Sequence, residues 1–404
     1  MNTVSFARNN TLPPDKASVV IALVVLIGVQ PLANELYLPA LPALPQAFGT
    51  TINIVQFTIS IYIACFGICQ LFFGPVSDRF GRKPVMMGGL ALYTAASIAA
   101  IYSPGIGWFI FFRALQGMAI AACLTSGRAM IRDLYSPTEG AHVMARAVAW
   151  MSLFPLLCPL LGGVLTTYYG WEGAFITLSL FGVLGLTYII LHIPETLARS
   201  NPDALRLVPL FRIYRSIAQN PLFWIYTAVA GFTFAGLYSF ISGAPYVLIE
   251  VFGLSRIQYG VVLSLTVTGL LFGSMCGHRI IPQMGIKRTL RLAGFVSLTS
   301  CIMMAGFALA GYHHVITLML PYFVFVFAHG IHQPCGQVGA VGPFPEKAGS
   351  AAALSGFMVV PLAFATSHWI GWSYNHTMVP LALTISFWSF MLAVTTILIL
   401  RRVV

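Results

Sequence analysis

Charged residues are scarce in this sequence. Of its 404 residues, 8% are Asp, Glu, Lys or Arg and 58% are hydrophobic, whereas about a quarter of a soluble chain is charged. Acids are scarcer still, ten against 21 Lys and Arg. Long polar stretches are missing, which leaves no room for a soluble domain. No nucleotide loop, metal-ligand cluster or nucleophile–base pair is legible, so the residues argue against an enzyme and offer no catalytic residue, metal site or cofactor. The seven cysteines (65, 69, 123, 158, 276, 301 and 335) form no CxxC pair and all lie in apolar runs. They read as small packing residues, not as a disulfide framework.

Apolar runs fill the chain instead. Twelve stretches, at about 18–41, 54–76, 84–102, 107–131, 142–168, 174–193, 221–245, 257–279, 290–310, 315–338, 348–370 and 378–400, are each long enough to cross a hydrocarbon core of roughly 30 Å. The expected fold class is therefore all-α integral membrane with twelve transmembrane helices. With the N-terminus placed in the cytoplasm, all but two of the 21 cations fall in inside segments, from Arg8 and Lys16 to Arg401 and Arg402. Arg256 falls outside and Arg113 well within a span. Both termini are then cytoplasmic by the positive-inside rule. The net charge of +11 belongs to loops beside an anionic leaflet and not to a nucleic-acid surface. The first span, after Lys16, has the length of a signal anchor and no small-x-small cleavage site.

The chain divides into similar halves. RFGRK, with Gly81, Arg82 and Lys83, has a counterpart in MGIKR, with Gly285 to Arg288, at an offset of 204; SPTEGA echoes FPEKAG, Glu139 against Glu346, at an offset of 207. Between the halves, LRLVPLFRIYRSIA sets Arg206, Arg212 and Arg215 apart from an apolar face, the pattern of a helix lying on the membrane surface. The expected division is 1–195, a six-helix bundle; 196–220, a cytoplasmic connector; and 221–404, a second six-helix bundle. Two such pseudo-repeats are the architecture of a rocking transporter with its site between them. Duplicated halves and the lack of a pore-loop signature also disfavour a channel.

GPVSDRFGRKP, Gly74 to Pro84, resembles the loop signature of the major facilitator superfamily. Gly74 and Gly81 are expected to allow the reversal, and Arg79, Arg82 and Lys83 to anchor at the inner leaflet. Asp78 is expected to dock on the positive N-terminus of the eleventh helix, near Gly349. FFRALQGMAIAA resembles the superfamily's fourth-helix motif at Arg113, Gln116 and Gly117. PLLCPLLGG resembles its antiporter motif at Pro159, Gly162 and Gly163, with Cys158 where glycine is usual; close packing in a kinked helix is the other reading. NELYLPALP, from Glu35, is similar to the first-helix signature of the Bcr/CflA drug transporters, with glutamate in place of aspartate. GRAMIRDLY, which includes Asp133, and PEKAGSAAAL look like the same subfamily. The resemblance implies a proton-driven exporter of amphipathic drugs in a bacterial inner membrane.

Glu35 is the one acid deep within a span. It lies 16 residues beyond Val19, roughly 24 Å along the helix, and Arg113 lies six residues below Gly107, roughly 9 Å, so the two share a level. Burial and a nearby guanidinium pull a carboxyl in opposite senses, which is how a proton-coupling group is tuned. Glu35 is thus the coupling candidate, with Arg113 its partner; snorkelling toward headgroups is the other reading of Arg113. Tyr37, Tyr62, Phe66, Gln116, Tyr238, His329, His332 and Gln333 are candidates for the substrate cavity. The two histidines lack the partners of a metal site. The implied partners are a small-molecule substrate, protons and the lipid bilayer, with the protein a monomer. The competing function is transport, in either direction, of a metabolite such as an amino acid, nucleoside, sugar or siderophore.

Overall fold

An apolar run inside hydrocarbon satisfies its own backbone only as a helix or a closed barrel, and this chain takes the first course. The computed structural model describes residues 15–202 and 207–399. Arg8, Arg206, Arg401 and Arg402, which enter the loop-charge count, lie outside the described residues. Among the described residues there is no strand.

The membrane helices are α1 (Lys16–Glu35), α2 (Ile52–Phe80), α3 (Arg82–Ile101), α4 (Ile106–Leu134), α5 (Pro137–Met151 continued by Leu153–Tyr169) and α6 (Glu172–His192) in the first half. The second half holds α7 (Pro221–Pro245), α8 (256–284), α9 (286–309), α10 (Val315–Val341), α11 (Ala348–Ser373) and α12 (Val379–Ala393). The helix starts are written in the sequence. Asp15 accepts a hydrogen bond from the Ser18 amide, Ser136 from that of Glu139, and Ser255 forms a reciprocal cap with Gln258; each satisfies an otherwise orphaned N–H.

Residues 256–309 would make a helix of about 80 Å if straight, far beyond one crossing. The chain instead breaks at Gly285, with φ 75° and ψ 163°. Gly81, 204 positions earlier, breaks α2 from α3 with φ 104°. Two left-handed glycines at the repeat offset turn the chain at equivalent places, where a side chain would be strained. Gly74 does not help in the reversal, contrary to expectation: it sits inside α2. The first span also departs from expectation. α1 ends at Glu35, and residues 38–43 continue as a tight 3₁₀ turn because Pro39 and Pro42 remove two amide donors.

Within the first half α2 and α3 pack on α4, and α6 on α3; within the second, α7 packs on α10, α11 and α12. Across the halves the main contacts are α2 with α11 and α5 with α8. One face of the bundle carries Asp78, Arg82, Lys83 and the connector helix Leu207–Ala218, which exposes Phe211, Arg212 and Arg215. Lys347 at the start of α11 donates to Ser216 of that helix at 3.1 Å. The opposite, distal face carries exposed Tyr102, Trp108, Tyr168, Tyr169, Tyr312 and Trp372, the aromatic belt of a membrane interface.

Candidate functional site

A cavity of about 660 Å³ lies between the halves, a size that holds a drug-like molecule. Its walls come from α1 (Ile27, Gln30), α2 (Ile63, Phe66, Gln70), α4 (Leu124, Arg128), α7 (Ala230, Phe234), α10 (Gln333, Gln337) and α11 (Ser355, Val359). Most of this surface is apolar, with four glutamines, one serine and one arginine as polar points. Lining residues Arg128, Val341, Gly342 and Ala352 lie near the helix ends at the basic face, so the cavity reaches that face. At its inner end, Tyr62 donates to the carbonyl of Gln30 at 3.1 Å, and the Gln30 amide points to the Tyr238 hydroxyl at 3.5 Å.

Beyond that roof the halves touch directly. Tyr246 donates to the Leu41 carbonyl at 3.4 Å, Gln56 to that of Ser242 at 3.2 Å, and Arg256 to that of Thr166 at 3.2 Å. The contact of α5 with α8 is backbone against backbone. A Cβ on Gly163 would meet the Arg256 carbonyl at 2.4 Å, and one on Gly260 would meet that of Pro159 at 2.5 Å. Gly162 stands equally close to the Leu36 carbonyl. Gly163 and Gly260 let the distal seal form without side chains, and Gly162 packs α5 against the end of α1 within the first half.

Arg113 is fully buried behind the cavity wall. Its guanidinium lies 4.7 Å from the Tyr37 ring and 4.4 Å from that of Tyr62, held by cation–π attraction on both. One nitrogen donates to Gln116 at 2.8 Å, and Gln116 donates to Ser97 at 2.7 Å. Its Nε and second terminal nitrogen have no partner among the described residues. Tyr37 bonds Thr58 at 2.8 Å and packs on Phe109 and Phe175. Glu35, the last residue of α1, is partly buried on the distal side of the roof. Cys158, Tyr62, Tyr238, Tyr259 and Tyr322 lie within electrostatic reach of it. No ion pair among the described residues includes Glu35.

At the basic face, Arg82 bonds Asp78, Asp133 (2.8 Å) and Ser77 (2.7 Å). Glu195, after α6, accepts from the amides of Arg82 and Lys83 and so caps α3. A Cβ on Gly81 would meet the Glu195 carboxylate at 2.6 Å. Arg79 projects to the surface over Phe80.

The model of the Major Facilitator Superfamily matches residues 23–368. The chain belongs to that superfamily. It is 28% identical to "Multidrug resistance protein D" of Escherichia coli (strain K12), with 84% of each chain covered. It is 27% identical to "Chloramphenicol resistance protein" of Pseudomonas aeruginosa, over 80% of this chain and 76% of that one. Among solved structures, a peptide transporter POT bound to sulfate superposes with a TM-score of 0.77 at 13% identity, covering 98% of this chain and 96% of that chain. The twelve-helix fold in two six-helix pseudo-repeats is that of the major facilitators, which are membrane transporters.

Of the eight residues expected to line the cavity of this major facilitator, Phe66 and Gln333 do so. Tyr37, Tyr62, Gln116, Tyr238, His329 and His332 stand behind the lining surface, Tyr62 and Tyr238 at the roof through Gln30, each buried among neighbouring helices. His329 bonds Thr233 at 2.9 Å, and His332 bonds Ser297 at 3.0 Å. The expected pairing of Glu35 with Arg113 is replaced by tyrosine rings about the guanidinium, and Arg113 does not snorkel. Asp78 pairs with Arg82 and not with the start of α11. Gln30, Gln70, Arg128, Gln337 and Glu195 were not singled out as site residues. Arg128 and Asp133 share the GRAMIRDLY stretch, so a signal for the former was present.

Proposed function

We propose that this protein is a proton-driven exporter of drug-like amphipathic molecules, working as a monomer by alternating access in a bacterial inner membrane. The observation that carries the reading is the mostly apolar cavity between the halves, reaching one face and sealed at the other. The names of the relatives, a multidrug and a chloramphenicol resistance protein, support placing it among the Bcr/CflA drug antiporters. By the distribution of its cations the basic face is cytoplasmic, so the conformer described here faces inward. In this reading 1–195 and 221–404 rock about the distal contacts, with 196–220 as tether. Glu35 carries the coupling proton, and Arg113, enclosed by Tyr37 and Tyr62, is a fixed charge of the same bundle that does not pair with it. The Asp78, Arg82 and Asp133 cluster engages α11 when the basic face closes.

The test is uptake by inverted membrane vesicles of a panel of neutral and charged drugs beside amino acids, nucleosides and sugars, with and without an imposed pH gradient. Gradient-dependent uptake of drugs is the expected result. Uptake confined to a metabolite, or indifferent to the gradient, overturns it.

A further inference from the structure

We infer that the cavity selects amphipathic monoanions, molecules with an apolar body and one carboxylate or similar anionic group, and that Arg128 is the residue that reads the charge. This rests on the transporter reading above. Arg128 is the one charged side chain among the described residues that line the cavity. No ion pair among the described residues includes it. Neither does it have a hydrogen-bond partner there. The acids nearest in sequence are otherwise engaged, Asp133 with Arg82 and Glu139 with Lys16, and Glu35 is beyond the roof.

A guanidinium left without a protein partner in a pocket of low polarity holds its donors ready for an incoming anion, which it can take in a planar two-point contact. The same charge repels a second cation, and among the described residues the walls provide no carboxylate to receive one. The rest of the surface suits the remainder of such a molecule. Arg128 is six residues from the end of α4, roughly 9 Å from the basic face, and Gln30 lies 14 residues into α1, roughly 21 Å from it. The guanidinium is therefore near the mouth and the roof about 12 Å deeper. Between them stand Ile27, Phe66, Phe234 and Val359, apolar flanks for a body whose carbonyl or hydroxyl groups meet the glutamines.

The test uses the full-length protein in zwitterionic nanodiscs and three probes with one fluorophore: dansyl-glycine (anion), its methyl ester (neutral) and dansyl-ethylenediamine (cation). Wild type should bind the anion at least tenfold more tightly than the cation, as befits a charge-assisted contact worth about ten- to hundredfold. Arg128→Gln should bring that ratio to within threefold of unity, and Arg128→Lys should largely keep it. Equal binding of anion and cation by wild type, or a ratio unmoved in Arg128→Gln, overturns the inference without reference to any variant that misfolds. Loss of the preference in nanodiscs containing phosphatidylglycerol would assign the guanidinium to a lipid headgroup and likewise overturn it. Uptake of the neutral ester by vesicles separates the two readings: transport without charge preference leaves the exporter standing and this inference fallen, and preference without transport does the reverse.

Discussion

Glu35 and Arg113 lie within the spans of this bundle without an ion pair between them. Glu35 has no ion-pair partner among the described residues, and Arg113 is enclosed by two tyrosine rings. A carboxyl so placed can change its proton without first breaking a salt bridge. Glu35→Gln, which keeps nearly the same size, should bind substrate but lose pH-gradient-driven export, and its affinity should no longer vary with pH between about 5 and 8. Titration of substrate affinity in detergent, wild type beside the variant, checks this; curves bending at the same pH would move the proton elsewhere. Arg113→Lys keeps the charge but loses the planar fork that reaches Gln116 while lying on both rings. Transport normalised to expression should fall at least tenfold, and a fully active lysine variant would reduce Arg113 to a packing residue. Both residues were legible in the sequence, since ionised groups deep in a span are costly and stand out. Their lack of mutual contact was not, because depth along two helices says nothing of the rotation of either about its axis.

Helices meet here through what their sequences omit. Gly163 and Gly260 admit the backbones of α8 and α5 to each other, so a side chain at either acts as a wedge on the distal seal. Gly163→Leu should loosen that seal while leaving the spans intact. Amide hydrogen exchange of residues 159–166 and 255–262 should rise about tenfold or more, with little change in the α2 to α4 core; unchanged exchange would show that the contact carries no gate. The PLLCPLLGG stretch thus stands at an interface between halves, where Gly163 packs against backbone, as the close-packing reading expects. The repeat offset of 204 was legible because turn glycines are identifiable without a structure. The cavity wall was less so. Most spans are apolar all round, and a helix that faces lipid on one side and protein on the other then offers no stripe by which to orient it. Six of eight expected lining residues fell behind the wall for that reason.

At the scale of the whole molecule, the proposed sidedness rests on where cations fall, and twelve crossings follow from run length, a quantity any sequence displays. The conformation does not, because one sequence serves every state of the cycle. In the state described, Asp78 holds Arg82 within its own half; in the cycle proposed above, it meets α11 when the basic face closes. Asp78→Asn should therefore slow transport of every substrate by about tenfold with less than threefold change in equilibrium affinity. Loss of one drug with others untouched would place Asp78 in recognition instead. The residues that close the distal face, among them Leu41, Gln56, Gly163, Ser242, Tyr246 and Gly260, have no member in common with those that line the cavity. Heritable change can then act on one set without disturbing the other. A lineage meeting a new toxin can retune its recognition surface by point mutation and inherit an unaltered pumping stroke.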